Sequence, residues 1–211
     1  MNVSRVDFVR FDARMNARER CSRFDELLKQ SDILGVVKEN DLTAIKMSFG
    51  ERGNTNHIPP FYIRSVSADI KARKAKPFLV ETNTLYKGQR MNAVDHLCLA
   101  YEHGFTFETV DAPIIIGDGL LSRDCREITI NQKYFAKAKI ASVVFDADAI
   151  VSVAHMTAHL AEGMGATLKN IGMGLAGRSG KLQQHASVKQ KIITKKCTQC
   201  KACIAVCPAN A

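Results

Sequence analysis

The residues with the most chemistry in them form one run, Cys197-Thr-Gln-Cys200-Lys-Ala-Cys203-Ile-Ala-Val-Cys207-Pro208. Four of the seven cysteines fall within eleven positions, spaced C-x2-C-x2-C-x3-C-P. In bacterial ferredoxins this run holds a [4Fe–4S] cluster, because the short spacers let three thiolates converge on one cubane. The proline then turns the chain away. The competing reading is a structural zinc knot, but zinc sites usually place two C-x2-C pairs far apart. Cys197, Cys200, Cys203 and Cys207 are therefore the candidate metal ligands, and a 4Fe-4S cluster the expected cofactor. In two-cluster ferredoxins the fourth cysteine of each run ligates the other cluster. On that pattern Cys207 belongs to a second cluster, yet the 211 residues contain no second run. The expectation is a fragment of a longer protein that carries the second cluster, or an upstream cysteine that completes the set. Cys21, Cys98 and Cys125 stand in unpatterned contexts and read as buried small apolar residues.

A second group of candidates is polar and scattered. His155 and His159 stand at i, i+4, which brings both imidazoles to one face if the segment is helical. Such a pair suits a metal, an anion or proton exchange; one histidine capping a strand and one on a solvated face is the plainer alternative. Gly163-Met-Gly-Ala-Thr-Leu-Lys169-Asn170-Ile-Gly-Met-Gly174 is the richest glycine segment. Its glycines either free backbone N–H groups for an anion that Lys169 neutralises, or permit tight packing on a sheet. The remaining polar candidates, Glu51, Asn54, Asn83 and Asp118, each follow an apolar run.

Those runs are the elements that must position them. Val3 to Phe11 has strand composition, and 16–30 a helical stripe through Cys21, Phe24, Leu27 and Leu28. Strands are expected over 43–49, 76–80, 106–110, 113–116, 127–130 and 149–154. Between them lie helices from Pro60 to about Arg73, from Arg90 to His103 with Gly104 as its stop, and over 167–173. This alternation argues an α/β protein with a mixed, mostly parallel sheet and helices on both faces. Ligands of open α/β sheets bind beyond the carboxyl ends of the strands, where four polar clusters would meet: Glu51, Asn54 and His57; Glu81 and Asn83; Asp118; and His155 with His159. The expected division is an α/β body over 1–188 and the start of a truncated, ferredoxin-like cysteine segment over 189–211.

Composition narrows the partners. The net charge is +9, and no acidic residue follows Glu162, so the first 162 residues carry 22 basic against 21 acidic side chains. A basic block suggests nucleic acid, but this one lacks the aromatic residues that stack on bases. An anionic ligand and an anionic cluster account for the lysines more simply, so nucleic acid is not the expected partner. The N-terminal residues lack the apolar stretch of a secretory signal, and no apolar run reaches membrane-spanning length. Clustered cysteines without a signal suggest the reducing cytoplasm.

Several motifs together resemble a known family. They are Lys46-Met-Ser-Phe-Gly50-Glu51, Glu81-Thr-Asn83-Thr-Leu-Tyr86, Asn92-Ala-Val-Asp-His96, Asp118-Gly119, His155-x3-His159, Leu168-Lys169-Asn170-Ile-Gly-Met-Gly174 and Gly180-Lys181. In this order they resemble the iron–sulfur centre proteins grouped as domain of unknown function 362, over nearly the whole chain. The resemblance implies a ferredoxin-like domain with two cysteine runs after the α/β body. The family pattern has Lys-Gly before the second histidine, where Thr157-Ala158 stand here, and often a Cys where Leu175 stands.

The function expected from these readings is iron–sulfur redox chemistry, with electrons passing between the cluster and a small anionic ligand on the α/β body. His155, His159 and Lys169 would act on that ligand; Glu51, Asn54, Asn83, Asp118, Asn170 and Lys181 would bind it. The alternative is a ferredoxin-like carrier or assembly module whose body only docks a redox partner protein.

Overall fold

The computed structural model describes residues 5–159, 162–186 and 192–205. Cys207 and Lys189 lie outside them. The chain begins with an irregular segment and α1 (Ala17–Gln30), then β1 (Leu42–Lys46), α2 (Pro60–Ala72), β2 (Lys76–Glu81) and α3 (Ala93–Glu102). The short α4 (Phe107–Val110) leads into β3 (Ile114–Ile116), and β4 (Cys125–Thr129) into β5 (Lys137–Ala141). After α5 (Val143–Asp146) come β6 (Ala149–Ser152), β7 (Thr157–His159), β8 (Gly163–Gly165), α6 (Thr167–Gly172) and α7 (Arg178–His185). A 3-10 turn (Thr194–Lys196) precedes α8 (Ala202–Ala205) in the cysteine run.

The local signals explain most of these elements. Asn16 caps α1 in a reciprocal box with Glu19, which satisfies two donors a bare helix end would leave unpaired. Pro60 opens α2, where its missing N–H costs nothing. β1 and β2 are buried along all but their first residue, as expected for strands covered on both faces.

Four strands form the central sheet in the order β3-β2-β1-β6, and every pair is parallel. One face packs Ile45, Met47, Leu79 and Ile116 against Ile63, Val66, Ile70, Ala100 and Phe105 from α2, α3 and their surroundings. The other packs Ala44, Phe78 and Val80 against Leu175 and the Val143–Val144 pair of α5. This is the α/β architecture with helices on both faces; among the described residues antiparallel pairing lies outside the sheet, in two hairpins and one isolated bridge between Ile140 and Ala176. Among the described residues no helix is long and apolar enough to cross a membrane.

Four expectations are corrected. Residues 5–11 form no strand: Val6 and Phe8 are mostly exposed, with no sheet edge beside them. Residues 107–110 are helical because Thr106 and Thr109 cap each other's backbone. Residues 127–130 do not continue the central sheet, since 125–129 pair with 137–141 in a separate hairpin. Cys98 is exposed on α3, and Cys21 and Cys125 are only half-buried, so none is a fully buried apolar residue.

Candidate functional site

Because the four strands run the same way, their carboxyl ends share one edge. β2 and β6 flank β1 on opposite sides, which creates the kind of switch point where such sheets bind ligands. A cleft of about 630 Å³ opens there. Its walls come from the segments after β1 (Ser48, Asn54, His57), after β2 (Thr82, Tyr86) and after β6 (Ala154, His155), closed by residues of α6 and α7.

The floor is a buried ion network. Lys46, the last residue of β1, has only 1% of its side chain exposed. Its ammonium donates to the Glu81 carboxylate, the Met47 carbonyl and Asn170 Oδ1, each at 2.8 Å. Burial pulls the Lys46 ammonium below the ordinary lysine value, and three acceptors offset that penalty. Burial pushes the Glu81 carboxyl up, but Lys46 and Arg90 outweigh it and hold Glu81 below the usual carboxylate range. Arg90 reaches Glu81 Oε2 at 3.6 Å, Ser48 Oγ at 3.1 Å and the carboxylate of Glu51. Tyr86 donates to the same Glu51 carboxylate, and its phenol is pushed up to about 12, chiefly by burial.

Asn170 ties the wall to the sheet. Its amide donates to the Lys46 carbonyl at 3.0 Å and to Ser152 Oγ at 2.9 Å while its oxygen receives Lys46. Gly174 makes that approach possible, for a Cβ there would lie 2.0 Å from the Asn170 carbonyl oxygen and 3.0 Å from Lys46 Nζ. At this position the glycine-rich segment serves close packing. Gly50, at φ +89, turns the chain after β1 so tightly that a Cβ would meet His57 and the His103 ring. Those two rings stack 4.5 Å apart, 4° from parallel.

The expected site residues separate into three groups. Asn54, His155, His159, Lys169, Asn170 and Lys181 all line the cleft. Lys169 Nζ contacts His159 Nε2, and the Glu162 N–H reaches the other ring nitrogen at 3.2 Å. The two histidines do not share a helix face, because 157–159 pair as a strand with 163–165 and His155 precedes them in an exposed loop. Glu51 is not among the lining residues but holds two that are, Arg90 and Tyr86. Asn83 and Asp118 are placed elsewhere, fully buried behind the lining. The Asn83 backbone and side-chain amides both donate to Asp118 at 3.0 Å, and Ser122 donates to its other oxygen. Burial raises the Asp118 carboxyl. These two brace the loops after β2 and β3, and among the described residues only Asn83 Oδ1 of the pair's side-chain atoms is left without a hydrogen-bond partner.

Arg90 was not singled out by sequence reasoning; Lys46 and Tyr86 stood only within the motifs of the family resemblance, and His57 only in the polar cluster after β1, none of them with a role. Lys46 carried a signal, a charged residue inside the apolar run 43–49; Arg90 carried none beyond polar loop composition. The charge balance that results is uneven. Two carboxylates, Glu81 in the lining and Glu51 beside Arg90, are paired with Lys46 and Arg90, while Lys169 and Lys181 also line the cleft and have no ion pair among the described residues. Such a site favours an anion.

The cysteine segment differs throughout. Cys197, Cys200 and Cys203 are exposed thiols. Gln199 (φ 54) and Lys201 (φ 61) have positive φ on either side of Cys200. The Ala202 N–H and the Thr198 hydroxyl draw the Cys200 thiol below its ordinary value, toward the thiolate that ligates metal. Donor type and exposure are those that a thiolate-held cluster requires. Among the described residues no three His, Cys, Asp or Glu side chains converge as a metal site.

No curated protein and no solved structure matches the chain. A family model, Domain of unknown function (DUF362), matches residues 43–207, which takes in the cleft and the cysteine run, and the chain belongs to that family.

Proposed function

We propose that this family member binds a small anionic ligand in the cleft and exchanges electrons with it through an iron–sulfur cluster held by Cys197, Cys200 and Cys203. The observation that supports this reading best is the excess of cations over carboxylates at the carboxyl edge of a parallel sheet. Cys207, at the ferredoxin spacing, is the fourth candidate ligand or the ligand of a second cluster. Such a cluster supplies one-electron transfer when bound. The rest of the chemistry falls to side chains of the cleft. Lys169 supplies charge to the anion, Arg90 is held in place by Glu51, Glu81 and Ser48, and His155 and His159 are placed to move protons. Lys46, Glu81 and Asn170 keep the three strand ends together and need not touch the ligand.

Calorimetric titration of the protein with inorganic phosphate and with succinate tests the anion half directly. Binding that weakens with salt and fails in Lys169→Met is expected. Absence of binding, or equal affinity for an uncharged analogue, would leave the α/β body as a docking module for a redox partner protein.

A further inference from the structure

The two buried lysines of the cleft edge are held in different ways. Lys46 faces a carboxylate at 2.8 Å. Lys181, in the first turns of α7, donates among the described residues to two neutral acceptors, Thr82 Oγ1 and the Asn83 carbonyl. It is 7% exposed and lines the cleft. Two acceptors occupy two N–H bonds, so a neutral amine there keeps its lone pair and remains at the cleft wall. The charged groups around it are Glu81, Asp118, Lys46 and Arg90.

We propose that Lys181 is an imine-forming lysine and that the ligand class is small 2-oxo acids, the carbonyl meeting Lys181 and the carboxylate meeting the cations of the cleft. This rests on the reading of the cleft as an anion site and is independent of the cluster. The step balances without a further reagent: the ammonium and the ketone give a protonated imine and water. The C=O bond is lost, the C=N bond forms, and two of the three ammonium protons leave with the oxygen. Burial and neighbouring cations are what activate such lysines. Here burial, with Lys46 and Arg90 adding to it against Glu81 and Asp118, brings the amine down from 10.5 to about 8. About a tenth of it is then neutral at pH 7, against fewer than about one in a thousand for an ordinary lysine.

The test is borohydride trapping of the whole chain with pyruvate, read by peptide mass spectrometry. A carboxyethyl group on Lys181, at least about tenfold more abundant than on exposed Lys74, is the expected result, given the difference in neutral amine. Acetone, which lacks the carboxylate, should label Lys181 about tenfold less, and Lys169→Met should lower pyruvate labelling by a similar factor. Label confined to exposed lysines, or equal labelling by acetone and pyruvate, overturns the assignment. Titrating the same preparation with phosphate separates the two proposals. Phosphate bound with Lys181 unlabelled refutes the imine and leaves the anion site; neither phosphate bound nor Lys181 labelled refutes both.

Discussion

The carboxyl edge of the sheet and the cysteine segment carry the two halves of the proposed chemistry and are built in opposite ways. At the edge, Lys46 and Glu81 are almost wholly buried and bound to each other. They are ordered by the same packing that forms the core, so the site exists before any ligand arrives. In the cysteine segment every described residue from 192 to 205 is exposed. Among the described residues its backbone hydrogen bonds are local, and a bound metal or cluster would add the order that the core supplies elsewhere, as in small metal-held domains. The difference teaches that the two sites should fail differently. Damage to the edge is a folding defect, whereas damage to the cysteines is a cofactor defect.

The strongest way to break this comparison is to remove Glu81. Glu81→Ala leaves Lys46 buried without its carboxylate, and the loss of one partner of a buried pair costs about 3–5 kcal/mol. Urea unfolding should show it; a loss below about 1 kcal/mol would mean the network is not structural.

His96 gives the next largest effect. Its ring is fully buried, and among the described residues neither ring nitrogen has a hydrogen-bond partner. Burial lowers it from 6.5 to about 4. The unfolded chain therefore binds this proton between pH 6.5 and 4 while the folded one does not. The stability contribution is present above pH 6.5 and is lost as pH falls toward 4, by about 3 kcal/mol. His96→Leu should flatten that acid limb in urea melts taken from pH 7 to pH 4; an unchanged slope would refute the assignment.

Lys169→Met sharpens the comparison from the ligand side. It should weaken phosphate binding about tenfold, about 1.4 kcal/mol, while leaving stability within about 0.5 kcal/mol, as for most substitutions outside the core. The smallest effect belongs to the other region. Cys200→Ser should change the stability of the metal-free protein by less than about 0.5 kcal/mol, and a larger change would tie the segment to the core.

How much of this was legible follows from what each signal depends on. β1, α2, β2, α3 and β6 were readable because each combines an apolar run with its own stop signal. Residues 106–110 were not, since a run of that length has no period that separates strand from helix. Residues 127–130 were read correctly as a strand, but which strand they pair with is a tertiary fact. The same limit applies to the site. His155, His159, Lys169 and Lys181 meet because parallel strands collect their carboxyl ends on one edge, a consequence of topology that alternating elements do announce. That Asn83 and Asp118 would turn inward to each other, and Arg90 would reach back to Glu51 and Glu81, depends on side-chain direction within loops. Nothing local in the chain encodes that.

The central claim is that an iron–sulfur cluster serves the cleft. Its most direct test is anaerobic reconstitution of the chain, with iron and acid-labile sulfide assayed and the reduced protein examined by EPR. The account predicts iron and sulfide together, a reduced-cluster signal lost in each of Cys197→Ser, Cys200→Ser and Cys203→Ser, and a signal that changes when pyruvate fills the cleft. Zinc bound without sulfide, or a cluster signal indifferent to those three substitutions, would contradict it.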